Sequence, residues 1–292
     1  FTNISPDHIG PGEHADFEEY LYYKTRLLNM CRIGLVNKDD EHAEQIIKAA
    51  DCELYTYSEK GKEADFSASD IRYVSQPDFV GTEFHISGKY DMEVRLGIPG
   101  LFNVVNALAA VSVCSFLDLD KEKISHALEH IRVNGRMEIV YTSERCTVLV
   151  DYAHNAVSME SLLSTLRDYK PKRLVCVFGC GGNRSKDRRY SMGEIGGKLA
   201  DLSIITADNS RYEKVEDIIA DIRGSIEKTG GRFIEIPDRR EAIRYSILQA
   251  QPGDMVAVIG KGHEDYQEIN GVRHHFLDRE VIEETVKELG EK

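Results

Sequence analysis

Four short segments of this chain concentrate charged and amide side chains: Asp151-Tyr152-Ala153-His154-Asn155, Gly179 to Arg184 (GCGGNR), Asp208-Asn209-Ser210-Arg211, and Gly260 to Glu264 (GKGHE). Each follows an apolar run of strand length. In open α/β sheets, ligands gather at the carboxyl ends of strands, where loops and helix N-termini point. One Asx turn in such a place is ordinary turn chemistry. Four charged loops in succession point to a pocket for a polar ligand. The glycine-rich loop is not a dinucleotide fingerprint, because that pattern needs glycine where Arg184 stands. Gly260-Lys261-Gly262 is too short to wrap a triphosphate, and GxxxxGK[ST] occurs nowhere. If ATP is used, its main phosphate cradle is expected outside this chain.

Other residues carry chemistry only conditionally. Asn103 and Asn106 sit three apart at the start of an apolar helix in LFNVVNALAA, where their amides could offer donor and acceptor to a nucleotide base. Helix capping by Asn103 and a satisfied amide at Asn106 explain the same pattern. His8 beside Asp7 could ligate a metal, and a lone loop histidine more often does nothing. Lys24, next to Tyr22 and Tyr23, reads by itself as a solvated charge.

These groups need a scaffold, and the bulk composition supplies one. The 292 residues are enough for two domains of ordinary size, and 41% hydrophobic with 30% charged residues fits a folded chain. A formal net charge of −13 argues against nucleic acid or an anionic membrane as the main partner. No stretch approaches the roughly 18 apolar residues of a membrane span. A cytoplasmic location is expected. The six cysteines, Cys31, Cys52, Cys114, Cys146, Cys176 and Cys180, contain no CxxC pair and read as buried reduced thiols. The chain opens at Phe1 in what reads as the end of a strand, so an excised piece of a longer protein is expected.

Periodicity places a helix over 16–30, a strand over 32–36, a helix over 40–50 and a strand over 53–57. A hairpin is expected over 79–98, then helices over 102–116 and 121–131. A boundary is expected near Asn134-Gly135, giving domains 1–134 and 135–292. From Met137 strands and helices alternate: helices over 158–169, 191–199, 215–226 and 240–249, strands over 173–178, 202–207, 232–236 and 254–259. This is an α/β fold ending in a Rossmann-like domain with a mostly parallel sheet. A hairpin around Asn270-Gly271 and a helix over 280–289 close it.

Taken in order, TNISPDH, a helix bearing a lysine, NVVNALAA, GRMEIV, DYAHN, GCGGNR, DNSR and GKGHEDYQ resemble the Mur ligases. GKGHE and the DNxR loop point, within that family, to the branch that adds the third amino acid to UDP-MurNAc-L-Ala-D-Glu. The motifs span nearly the whole chain, while the family's GTTGKT loop and UDP-binding N-terminal domain are not among these residues. Residues 1–134 are therefore expected to be part of the central ATPase domain, and 135–292 the amino-acid-binding domain. Two motifs depart from the family pattern: DNPR is here DNSR, and DYAHxP ends in Ala156.

The resemblance implies a bacterial, ATP- and Mg²⁺-dependent amide ligase of peptidoglycan precursor synthesis that works through an acyl phosphate. His8 is then a magnesium ligand and Lys24 a lysine carbamylated into an anionic one. Asn103 and Asn106 contact the nucleotide, and Arg136 and Asp151 reach ATP from the hinge. Arg184, Asn209, Arg211, Gly260 and Glu264 line the pocket for the incoming diamino acid, with His154 and Asn155 behind them. Arg211 and Glu264 offer a cation and an acceptor for the distal end of meso-diaminopimelate; pairing of Arg211 with Glu213 or Asp217 on the surface is the alternative. An L-lysine-adding homologue, a folylpolyglutamate synthetase-like ligase and a non-catalytic binding fragment are the competing readings. The isolated chain is expected to be inactive.

Overall fold

The structure, a computed structural model, describes residues 1–6, 9–10, 12–117 and 119–290. They form two compact units: Phe1–Arg72, Thr82–Leu96 and Gly100–Ile131 in the first, Tyr73–Gly81, Gly97–Pro99 and Arg132–Lys292 in the second. The α/β class expected from the sequence is present in both.

The first unit holds most of a five-stranded sheet, in the order β1 (Ile33–Asn37), β2 (Glu53–Ser58), β3 (Phe66–Gln76), β4 (Phe79–Gly88), β5 (Met92–Leu96), with the end of β3 and the start of β4 counted in the second. β1, β2 and β3 pair in parallel, and β4 and β5 form the expected antiparallel hairpin with Phe84 opposite Val94. Its helices are α1 (Phe17–Thr25), α2 (Ala43–Ala49), α3 (Leu101–Ser115) and α4 (Lys121–His130). α3 buries Val104, Ala107, Leu108 and Val111 against Phe66, Phe84, Ile86 and Val94. Three details correct the expectations. The helix read over 16–30 stops at Thr25 and continues as a 3₁₀ turn over Arg26–Asn29. β3 was not foreseen. The opening residues are not a strand, although the Asn37 N–H donates to the Phe1 carbonyl at 2.9 Å.

The second unit carries a six-stranded sheet in the order β10 (Phe233–Glu235), β9 (Leu202–Ile205), β8 (Arg173–Phe178), β11 (Asp254–Ile259), β7 (Cys146–Asp151), β6 (Glu138–Thr142). All pairs are parallel except β6 with β7. Helices α5 (Ala156–Asp168), α6 (Asp187–Leu199) and α7 (Val215–Thr229) cover one face, and α8 (Arg239–Leu248) and α9 (Asp278–Glu288) the other. Both faces being covered explains why the central strands are unbroken apolar runs. In β8, Leu174, Cys176 and Phe178 enter the core with α5 to α7, while Val175 and Val177 enter the one with α8 and α9. The hairpin of β12 (Tyr266–Ile269) and β13 (Val272–His275) turns at Asn270-Gly271, both at positive φ, as a tight two-residue hairpin requires.

One buried ion pair fastens the carboxyl edge of this sheet. Arg239, the first residue of α8, donates from Nε to Asp278 Oδ1 at 2.8 Å and from Nη2 to Oδ2 at 2.7 Å. The same guanidinium donates to the carbonyls of Ala207 at 3.2 Å and Ile259 at 3.0 Å. Neither side chain of the pair has any solvent exposure. Desolvating two charges is costly, and here it is offset by the bidentate geometry and two further carbonyls.

Asp278→Ala leaves the guanidinium buried without its carboxylate and is expected to cost about 3–5 kcal/mol, read as a lower denaturant midpoint by equilibrium unfolding. A midpoint equal to that of the parent chain refutes the anchoring role.

Candidate functional site

Beyond the carboxyl ends of β7, β8, β9 and β11, all four polar loops contribute to one cavity of about 480 Å³. Its wall includes Arg184, Asn209, Arg211, Gly260 and Glu264, so every residue expected in the amino-acid pocket is brought together. His154 joins them, as do Tyr152, Cys180 and Asp208 from the same loops, and Arg188 and Tyr266, which lie outside the loops the sequence reading singled out.

Glycine makes this convergence sterically possible. A Cβ on Gly179 would lie 2.1 Å from the Thr206 carbonyl oxygen, and one on Gly182 would lie 1.9 Å from that of Ser210. The GCGG loop therefore lies flat on the backbone that leads into DNSR. The Gly182 N–H donates to the Asn209 carbonyl at 2.9 Å, and Arg211 Nη1 donates to the Gly182 carbonyl at 2.8 Å. Gly260 sits at φ +111°, a backbone region closed to side chains.

Arg211 itself adopts φ +52°, which costs an ordinary residue about 1–2 kcal/mol. It is held there by the β12–β13 hairpin: its N–H donates to the Glu268 carbonyl at 3.0 Å, and its carbonyl accepts from Asn270. Its Nε stands 3.5 Å from Glu268 Oε2. Pairing with Glu213 or Asp217 is not found. Glu213 instead meets the buried Arg189 at 2.8 Å and accepts the Asn183 N–H. Arg184 and Arg188 line the cavity and have no ion pair recorded among the described residues.

Asn209 and Glu264 are held by a residue the sequence reading passed over. Lys261 has no solvent exposure, and its Nζ lies 3.2 Å from Glu264 Oε2 and 3.3 Å from Asn209 Oδ1. Asn209 Nδ2 donates to Glu264 Oε2 at 3.0 Å, and Asn209 Oδ1 accepts the Glu268 N–H at 2.9 Å. Lys261 also lies 5.3 Å from the centre of the Tyr266 ring. Burial raises the Tyr152 hydroxyl above its ordinary range, and the negative charge of Glu264 adds to that shift.

Asp151 ends β7 below these loops. Its Oδ2 accepts the Met137 N–H at 2.8 Å and its Oδ1 the Ala153 N–H at 2.7 Å. Burial pushes this carboxyl above the usual carboxylate range, against the opposing pull of both N–H groups and of Arg136. Arg136 is exposed, with its guanidinium 5.1 Å from the centre of the Tyr152 ring. His154 Nδ1 lies 2.9 Å from the Tyr152 carbonyl, which makes Nδ1 the protonated nitrogen. Asn155 is the N-cap of α5, accepting the Ser158 N–H at 2.9 Å in a reciprocal capping box. It lies outside the wall of this cavity.

The remaining expected residues belong to the first unit. Lys24 is exposed on α1 with its ammonium 5.3 Å from the centre of the Tyr20 ring. The cap of α3 falls on Gly100, which makes Asn103 the third residue of the helix, with exposed Asn106 one turn further on. His8 lies outside the described residues. Among the described residues, no group of three His, Cys, Asp or Glu side chains is placed to hold a metal. Cys146, Cys176 and Cys180 are buried as expected, and burial pushes the Cys180 thiol up to about 12. Cys31, Cys52 and Cys114 are partly exposed, which corrects the expectation of uniformly buried thiols.

Comparison with known proteins agrees with this geometry. Residues 1–114 match the Mur ligase middle domain, and residues 135–262 match the Mur ligase glutamate ligase domain. The chain is 38% identical over 294 residues to a UDP-N-acetylmuramoyl-L-alanyl-D-glutamate--2,6-diaminopimelate ligase of Caldanaerobacter subterraneus, covering 99% of this chain and 59% of the relative. A Clostridium acetobutylicum protein of the same name, numbered 2, is 40% identical over 285 residues, covering 97% of this chain and 58% of its own. A solved structure of such a ligase superposes with a TM-score of 0.79 at 35% identity, covering all of this chain and 60% of the other. The chain thus spans about six-tenths of the length of the relatives it matches. With two family domains in the family's order and a cavity assembled from its motif loops, the chain belongs to the Mur ligase family.

Proposed function

We propose that this chain forms part of an ATP-dependent amide ligase of peptidoglycan precursor synthesis, which adds meso-diaminopimelate to UDP-MurNAc-L-Ala-D-Glu in the bacterial cytoplasm. The observation that carries the proposal is the charge pattern of the cavity. Arg184, Arg188 and Arg211 face the same space as Asp208 and Glu264. Diaminopimelate is a zwitterion at both ends, with two carboxylates for arginine forks and two amines for acidic side chains. L-lysine lacks the distal carboxylate and would leave one guanidinium facing an ammonium.

In the proposed reaction, a side-chain carboxylate oxygen of D-Glu attacks the γ-phosphorus of ATP and ADP departs. The amine of the bound amino acid then attacks the acyl carbon, and inorganic phosphate leaves as the amide forms and the amine loses a proton. Residues of the cavity hold the amino acid so that one amine is presented and the distal end is fixed. Residues 1–134 are assigned to the ATPase domain and 135–292 to the amino-acid domain. Asn103 and Asn106 are assigned to the nucleotide, and so are Arg136 and Asp151 in their own unit. A magnesium ion needs oxygen donors. Lys24 as an ammonium does not fit that need and would do so only as a carbamate.

Two outcomes are expected. The 292-residue chain contains no GxxxxGK[ST] loop, so with UDP-MurNAc-L-Ala-D-Glu, ATP, Mg²⁺ and meso-diaminopimelate it forms no tripeptide product by chromatography. Turnover at the rate of an intact ligase contradicts that expectation. In a ligase carrying this chain, kcat/KM favours meso-diaminopimelate over L-lysine, and Arg211→Ala shrinks the ratio about 10- to 150-fold, the worth of one charge-assisted hydrogen bond. A preference for lysine, or a ratio unmoved by the substitution, removes Arg211 from this role.

A further inference from the structure

Lys261 is a fully buried cation beside the cavity, and it does not itself line it. Its contacts determine how two residues that do line it can behave. The Asn209 amide has two ends, and a side-chain amide can usually turn either towards a partner. Here one end receives both the Glu268 N–H at 2.9 Å and the Lys261 ammonium at 3.3 Å, so that end must be the oxygen. The Nδ2 end is thereby directed at Glu264 Oε2, 3.0 Å away. Lys261 reaches the same Oε2 at 3.2 Å. Two donors fall on Oε2 and neither falls on Oε1, and the Tyr152 hydroxyl is a further hydrogen-bonding neighbour of the same carboxylate.

We infer that Lys261 is a positioning residue of the amino-acid pocket: its buried ammonium fixes the Asn209 amide and one oxygen of Glu264, keeping the other oxygen available to an ammonium of the ligand. The inference rests on the diaminopimelate reading of the cavity and goes beyond it by explaining how the acceptor is held before the ligand arrives. Without the ammonium, the Asn209 amide keeps one donor on its oxygen, the Glu268 N–H, and its Nδ2 bond goes to a Glu264 carboxylate that has lost the buried charge beside its Oε2. An acceptor that must be ordered on binding contributes less affinity than one already in place. The ammonium also offsets the negative charge of Glu264 in a cavity that contains Asp208 as well.

The test measures binding of radiolabelled meso-diaminopimelate to the 292-residue chain by equilibrium dialysis, with folding followed by circular dichroism and thermal melting. Lys261→Met is expected to weaken binding about tenfold or more. In a Glu264→Gln background the same substitution is expected to change binding less than about twofold, because two residues acting through one another are not additive. A general loss of packing would lower affinity equally in both backgrounds, and that result overturns the inference. If Lys261→Met does not fold, Lys261→Gln replaces it in both backgrounds: a loss of binding seen only where Glu264 is intact supports the coupling, and an equal loss in both opposes it. Arg184→Ala separates the two layers of the argument. Binding that Arg184→Ala abolishes and Lys261→Met leaves intact overturns the inference alone. Absence of binding by the parent chain overturns the diaminopimelate reading, and the inference with it.

Discussion

The carboxyl edge of the second sheet depends on one guanidinium. Arg239 binds the Asp278 carboxylate with two of its nitrogens and uses further N–H bonds for the carbonyls of Ala207 and Ile259. Those carbonyls immediately precede Asp208 and Gly260, where two of the cavity loops begin. A side chain that does not line the cavity therefore fixes the separation of the loops that do. The first turns of α8 and α9 are tied to the same point, so packing of the outer helices and placement of the cavity share one polar contact.

The loops above that anchor interlock. Gly179 and Gly182 let one loop rest on the carbonyls of the next, Arg211 bonds back to Gly182, and the β12–β13 hairpin holds Arg211 in its unusual backbone state. Each loop is thus part of its neighbour's support. A cavity made this way is largely formed before a ligand enters, which lowers the ordering cost of binding.

Much of this was legible in the sequence because the signals were local. The apolar runs of β7, β8 and β11, the Asn-Gly hairpin and the four charged loops all announce themselves within a few residues. β3 escaped notice because its burial is uneven: Phe66 and Ala68 are buried, and the strand beyond Ala68 is half-exposed or exposed. Lys261 escaped for a different reason. Lysine is ordinarily solvated, and its burial here depends on Asn209, which lies far away in the chain. The neighbour of Arg211 within the protein was not foreseen for the same cause: the alternative pairing considered Glu213 and Asp217, close in sequence, whereas Glu268 is brought beside it by a hairpin. The roles of Lys24, Asn103 and Asn106 came from family resemblance, and their positions on helices add no geometric argument of their own.

The order of strands in the second sheet also has a consequence for how the chain behaves in a crowded solution. A sheet is vulnerable where its last strand offers unpaired backbone groups to another molecule. Here one outer strand, β10, is only three residues long. The other, β6, runs antiparallel to its neighbour and is broken by a register shift between Ile139 and Tyr141. The buried apolar strands that would template aggregation most readily, β7, β8 and β11, are all interior. The strand order that brings their carboxyl ends together to build the cavity is the same order that keeps their edges away from other chains.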